Sequence, residues 1–111
     1  MKKINRLLKN KDFKNVLDNK NSVANKEYVV YKINNNLNYI RIGISVSSKL
    51  GNSVVRHKIK RQVNEILKDL INININEDIV IIVRKKFIDN KFIDNKESLK
   101  SLLKKLSKGE K

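Results

Sequence analysis

Residues 39–70 read YIRIGISVSSKLGNSVVRHKIKRQVNEILKDL, and the hydrophobic period changes inside this stretch. From 39 to 47, Ile40, Ile42, Ile44 and Val46 alternate with Arg41, Gly43, Ser45 and Ser47. A period of two places one set on a core face of a strand and the other on a wet face. From Asn52 to about Leu70 the period becomes helical. Val55, Ile59, Val63, Ile66, Leu67 and Leu70 then share roughly one third of a helix circumference. Asn52 and Ser53 are the candidate caps. A strand passing through a short turn into an amphipathic helix is the seed of a sheet covered by helices.

Working outward, residues 28–33 are β-branched and aromatic and predict a strand. Asn34-Asn35-Asn36 is a turn signal, so 28–33 and 39–47 are expected to pair as an antiparallel hairpin. The unbroken apolar run 79–83 predicts a strand buried on both faces or central in a sheet. Phe13, Val16 and Leu17 fall at i, i+3 and i+4, which predicts a short helix from Asn10 to about Asn19 with Asn10 as cap. Leu99, Leu102, Leu103 and Leu106 predict another over 98–106. Residues 71–76 alternate Ile and Asn and fit a strand or a loop. Residues 86–95 contain Lys-Phe-Ile-Asp-Asn twice in tandem. A repeat this short defines no solenoid, and it reads as a local duplication in a connecting loop. Phe87 and Phe92 are there either anchors or exposed. Residues 1–9 read as an irregular basic N-terminus and 107–111 as a frayed tail. With no proline and three glycines in 111 residues, no flexible linker is visible, and one domain is expected over 1–111.

The net charge of +15 restricts function most. A compact domain with that charge repels itself, and an anionic partner relieves the repulsion. Nucleic acid is the first candidate and an anionic membrane surface the second. A compositional account stands beside these. Lys, Asn and Ile share A/T-rich codons, and only five of the 26 basic residues are Arg (Arg6, Arg41, Arg56, Arg61 and Arg84). Placement favours binding. On the long helix, Arg56 and Lys60 form one row and His57 and Arg61 a second, with Lys58 farther around and Lys68 extending the rows. Cations on a rigid helix meet several phosphates at little entropic cost. A merely solvated face would carry acidic partners at i+4, and only Arg61 and Glu65 have that spacing.

Other chemistries lack their residues. No cysteine is present, which removes disulfides, thiolate metal sites and thiol nucleophiles and suits a reducing cytosol. His57 is the only histidine, so it has no second ligand of its kind and no partner for general base work. There is no phosphate-binding glycine loop and no carboxylate pair in an apolar setting. No apolar run approaches the ~18–20 residues of a membrane span. No signal peptide follows the basic start. No membrane partner is therefore expected, because the long helix needs its apolar face for the sheet. The expected location is the cytoplasm.

The run Gly43, Ser45-Val46-Ser47, Lys49, Gly51-Asn52, Val54, Arg56 and Ile59-Lys60-Arg61 resembles the signature of the bacterial ribonuclease P protein family. That signature centres on an Arg-Asn-Arg triplet followed by an apolar residue, Lys and Arg. Here the triplet is Arg56-His57-Lys58, which keeps charge but loses the bidentate fork of the second arginine. Arg6-Leu7 and Asp12-Phe13 are similar to the family's start. Ser22-Val23-Ala24-Asn25 and Tyr28-Val29-Val30-Tyr31 resemble its first strands, and 79–84 resembles the strand after the long helix. The likeness covers most of the chain and is weakest over 71–77 and after Lys86.

The resemblance implies an α+β fold: a single-domain α/β sandwich with a central sheet of about four strands, in the order α-β-β-β-α-β-α. It also implies a left-handed βαβ crossover, whereas such connections are right-handed in about 98% of cases. It implies a protein subunit of ribonuclease P, the hydrolase that removes the 5′ leader of precursor tRNA, with catalysis carried by the RNA. Catalytic residues on this chain are then none, and metal ligands none. Mg²⁺ serves the holoenzyme and is held mainly by RNA. The implied partners are the catalytic RNA and precursor tRNA, with no obligate protein partner. Lys49, Asn52, Arg56, His57, Lys58, Lys60 and Arg61 would bind the catalytic RNA. Phe13, Leu17, Ser22 and Tyr31 would bind the leader. Leu17 stands where the family often has an aromatic residue, which keeps an apolar wall but removes a stacking platform. A structural RNA-binding protein, such as a ribosomal protein, is the alternative that the charge alone fits equally well.

Overall fold

The computed structural model describes residue 6 and residues 9–70 and 76–108. Helix α1 (Asn10–Asp18) leads into strands β1 (Ser22–Ala24), β2 (Tyr28–Asn34) and β3 (Arg41–Val46). A 3-10 turn (Ser48–Leu50) then opens helix α2 (Ser53–Leu67), followed by β4 (Glu77–Val83), α3 (Lys86–Asp89) and α4 (Phe92–Lys108). The α+β sandwich with a four-stranded sheet is as expected. Most of the alternating Ile/Asn segment, 71–75, lies outside the described residues.

The strand order is β1-β2-β4-β3. This corrects the expected hairpin, because β4 lies between β2 and β3. It pairs antiparallel with β2 and parallel with β3. Residues 79–83 are apolar on both faces, and only a central position buries both faces of a strand. Burial of Val80 and Ile81 thus outweighs the proximity in sequence of β2 and β3. The connection β3–α2–β4 is a parallel crossover between neighbouring strands.

One face of the sheet carries the larger core. Tyr28, Val30, Ile42, Ile79, Ile81 and Val83 pack with Ile59, Val63, Ile66 and Leu67 of α2 and with Leu99, Leu102 and Leu106 of α4. The other face carries a thinner cluster: Val16 and Val80 are fully buried, with Phe13, Leu17, Tyr31, Ile33 and Ile82 half-buried around them. The second face of β3 was expected to be wet. Instead Gly43 is buried beneath Phe13, and Arg41 is half-buried in an ion pair.

The tandem repeat is not a loop. Its first copy forms α3 and its second opens α4. Phe87 is 2% exposed and meets Tyr28 edge-on at 5.8 Å, while Phe92 is 42% exposed. Asn95 is buried and donates to the Phe87 carbonyl (3.0 Å), while its own carbonyl accepts from the Tyr28 hydroxyl (2.9 Å). Its equivalent Asn90 reaches Glu27 instead (2.8 Å). The two copies differ because Asn90 is the extended cap that ends α3, whereas Asn95 lies within the first turn of α4.

Smaller corrections concern the ends. Asn10 is the first helical residue of α1 and Lys9 its cap, which makes no side-chain cap bond. Of residues 1–9, expected to be irregular, residues 1–5, 7 and 8 lie outside the described residues, and Arg6 forms an isolated parallel bridge with Ile42. Helix α4 runs through Lys108, so the expected fray does not start at 107.

Candidate nucleic-acid interface

Two surfaces arise from this frame, one on each side of the sheet. The first is the outer face of α2. Asn52 caps the helix, its Oδ1 accepting from the Val55 N–H at 3.0 Å. Gly51 holds φ at 155°, and a Cβ there would lie 2.7 Å from Val55 Cγ1, so the turn into α2 requires glycine. The preceding 3-10 turn is itself capped, the Ser47 hydroxyl oxygen accepting from the Lys49 N–H (3.1 Å). Lys49 therefore stands on a defined turn beside the first turn of α2. His57, Lys58, Lys60 and Arg61 are exposed and Arg56 half-buried, and none has a carboxylate within 4.0 Å among the described residues. The expected Arg61–Glu65 pair is absent, because Glu65 turns instead to Lys68 (3.2 Å). The Arg56 Nε–H is buried without a hydrogen-bond partner among the described residues. A hollow of about 380 Å³ at this end of the helix is lined by Ser53, Val54, His57 and Arg61.

The second surface is the face under α1. Strand register builds it from three transverse rows. Ser22, Tyr31, Val80 and Gly43 align across all four strands. Ile33, Asp78 and Arg41 form the row on one side, and Ala24, Val29, Ile82 and Ser45 the row on the other. Helix α1 roofs only part of this floor. The Phe13 ring fills the space that Gly43 leaves, since a Cβ there would sit 2.3 Å from Phe13 Cζ. Val16 packs on Val80, and Leu17 joins Tyr31 in the same cluster. Ser22 is exposed and Tyr31, Val29, Ile82 and Ser45 are half-buried, so the β1–β2 side and the Ala24 row remain open. The structure thus brings Phe13, Leu17, Ser22 and Tyr31 to one groove, although Phe13 and Tyr31 stand 18 positions apart in the chain.

Sequence reasoning missed the basic rim of this groove. A hollow of about 530 Å³ is lined by Ala24, Asn25, Lys26, Arg84, Lys85 and Lys86. Ala24 continues the face of Ser22, so the rim adjoins the open floor. Arg84 is anchored there, its Nη1 donating to the Asn25 carbonyl at 2.8 Å. The Arg84-Lys85-Lys86 triplet at the end of a strand was the available signal. The row on the opposite side ends in acid-base pairing: Arg41 makes a fork to Asp78, with Nε–Oδ1 at 2.8 Å and Nη2–Oδ2 at 2.6 Å. That fork raises the Arg41 pKa above its ordinary value against the opposing effect of burial. Among the described residues no group of acids, histidines or cysteines could hold a metal ion. No helix of the described residues is long and apolar enough to cross a membrane.

Known proteins resemble this chain over most of its length. The family model described as Ribonuclease P matches residues 1–107. The ribonuclease P protein component of Streptococcus thermophilus is 42% identical over 104 residues, covering 94% of each chain. The solved structure of the Staphylococcus aureus RNase P protein superposes with a TM-score of 0.81 at 40% identity, covering 90% of this chain and 93% of that one. The Thermotoga maritima RNase P protein gives 0.79 at 36% identity, covering 90% and 96%. This chain, with its cation-bearing crossover helix and half-roofed sheet, belongs to the bacterial ribonuclease P protein family, whose members serve in tRNA processing.

Proposed function

We propose that this chain is the protein subunit of a ribonuclease P holoenzyme in the cytoplasm, with the catalytic RNA on α2 and the precursor 5′ leader under α1. The observation that carries this reading is the transverse row Ser22–Tyr31–Val80–Gly43 with α1 across half of it. An apolar, aromatic floor bounded by cations suits a single-stranded nucleic acid, whose bases stack and whose phosphates need counter-charge. Tyr31 is the platform. Leu17 supplies an apolar wall, and the Ser22 hydroxyl a hydrogen bond. Because the Phe13 ring is seated on Gly43, its role is to wall the groove and hold α1 rather than to swing onto a base. Lys26, Arg84, Lys85 and Lys86 are placed to meet leader phosphates along the open side.

On α2, Arg56, His57, Lys58, Lys60 and Arg61, with Lys49 on the turn before them, neutralise phosphates of the catalytic RNA. Arg56 and Arg61 can each take a phosphate through two parallel bonds, and the lysines act as point charges. Asn52 has committed its carbonyl oxygen to the helix cap, which leaves its amide N–H groups to contact RNA. In this reading Mg²⁺ is held by RNA and substrate, and the protein positions the leader and screens charge. Reconstitution tests it. The purified chain alone should leave precursor tRNA intact, and adding it to a bacterial ribonuclease P RNA at low Mg²⁺ should restore 5′ cleavage. No stimulation at any Mg²⁺ concentration would sink the reading. Ribosomal RNA in a pull-down, in place of one catalytic RNA, would favour a structural ribosomal role.

A further inference from the structure

The closed end of the groove holds an ion-pair chain that no RNA contact requires. Asp78 is 4% exposed and accepts three hydrogen bonds, two from the Arg41 fork and one from Asn35 Nδ2 at 2.8 Å. A guanidinium gripped by two parallel bonds has little freedom left. Its remaining nitrogen, Nη1, is aimed at α1 and lies 3.6 Å from Asp12 Oδ2. Asp12 precedes Phe13, and Phe13 seats on Gly43, two residues along β3 from Arg41 on the same face. Two adjacent side chains therefore fix the start of α1 to β3. One turn later the same helix presents Leu17 beside Tyr31.

Helix α1 needs such anchorage. It spans nine residues, has no side-chain N-cap bond, and fully buries only Val16. A helix this short is not stable alone in water, so its height and tilt over the sheet are set by what holds its ends. We propose that Asp12, through Arg41 and Asp78, is a positioning residue that sets the stand-off of α1 from the sheet and hence the width of the leader groove. This rests on the reading of the groove as the leader site. Asp12 touches no RNA in this account. Its carboxylate also lies in the first turn of α1, where it favours the helix dipole. A purely structural role would follow from that alone, and it predicts lost stability without changed selectivity.

The test uses the full-length chain assembled with ribonuclease P RNA. The Asp12→Asn variant keeps the shape of a partly exposed side chain and leaves the Arg41–Asp78 fork intact, so the fold should persist. The readouts are the Kd for leader-bearing precursor tRNA, the Kd for mature tRNA, and the Kd of the protein for the RNA subunit. The expected result is a several-fold loss of preference for the leader-bearing substrate with RNA-subunit affinity unchanged. Asp12→Glu, which restores the charge, should recover most of the preference. Asp12→Asn and Leu17→Ala should combine less than additively, since both act on the same wall. An unchanged preference accompanied by a lower Tm would overturn the inference and leave Asp12 a helix-stabilising residue. If the unaltered holoenzyme shows no preference for a leader, the groove reading fails and the inference falls with it.

Discussion

The face of the sheet toward α2 and α4 seals Tyr28, Val30, Ile81 and Val83 beneath two long helices, whereas on the face toward α1 the one apolar strand side chain fully sealed among the described residues is Val80, beneath one short helix. Both faces come from the same four strands. They differ in what the helices leave uncovered. On the closed side α2 spends its apolar stripe on the sheet and turns its cations outward, so the cation-bearing surface lies one helix away from the strands. On the α1 side the strands themselves form the exposed floor. Side chains on the closed side therefore serve stability first, and half-buried ones on the open side, such as Tyr31, remain available to a ligand.

Substitutions can break this division. Leu99 is fully buried in the larger core. Leu99→Ala should cost about 2–5 kcal/mol in denaturant unfolding, yet leave the ratio of precursor to mature tRNA binding unchanged in the folded fraction. A changed ratio would mean that the closed side shapes the groove. Tyr31→Leu should do the reverse. It keeps the apolar packing against Val80 and Leu17 but removes the ring, weakening leader binding by about 1–3 kcal/mol per stacked base while affinity for the RNA subunit holds. Arg56→Ala and Arg61→Ala address the outer face of α2. Each should weaken binding to the catalytic RNA and reduce the magnitude of the log–log salt slope by roughly 0.7–0.9 per lost phosphate contact. Unchanged slopes would show that these side chains do not meet phosphate.

The smallest effect is expected from pH. Glu27 joins the start of β2 to α4, accepting from Ser98 Oγ at 2.7 Å and from Asn90 Nδ2 at 2.8 Å. Burial pushes its carboxyl pKa up, but these hydrogen bonds and nearby Lys86 outweigh burial and hold it below the ordinary 4.5. A depressed folded-state value means that the stabilisation is present above the unfolded pKa and fades as pH falls through the folded one. Thermal melts should therefore show Glu27→Gln losing less Tm than the unaltered chain on acidification below about pH 4.5. Parallel curves would remove Glu27 from the link between β2 and α4.

Much of the frame could be read along the chain. The alternation at 40–46, the helical stripe from Ile59 to Leu67 and the continuous apolar run at 79–83 are local periods, and each became the element it predicts. The cap was legible to within one residue, Asn52 or Ser53, since a capping side chain bonds only three residues away. Strand order was legible only in part: the run at 79–83 pointed to a central strand, but not to its neighbours. The turn signal at Asn34–Asn36 argued for a hairpin, but β4 could occupy the middle only once the whole sheet was assembled. The helical state of the tandem repeat was hidden for the same reason. Its first copy is held by Tyr28, and its buried Asn95 by bonds to Tyr28 and Phe87.

The candidate site divides in the same way. The α2 cations share a face because helix geometry alone fixes their spacing, so charge and periodicity sufficed for Arg56, Lys60 and Arg61. The groove depends on register across four strands. That register aligned Ser22 with Tyr31, Val80 and Gly43, seated Phe13 on the glycine, and brought the rim from Lys26 to Arg84 together. The sequence by itself determined a basic chain with helix and strand periods and one cation-bearing helix, since those are set within a few residues. Only the tertiary structure decided the strand order, the half-open groove and the Asp12–Arg41–Asp78 chain, because they depend on which buried surfaces compete best for the centre of the sheet.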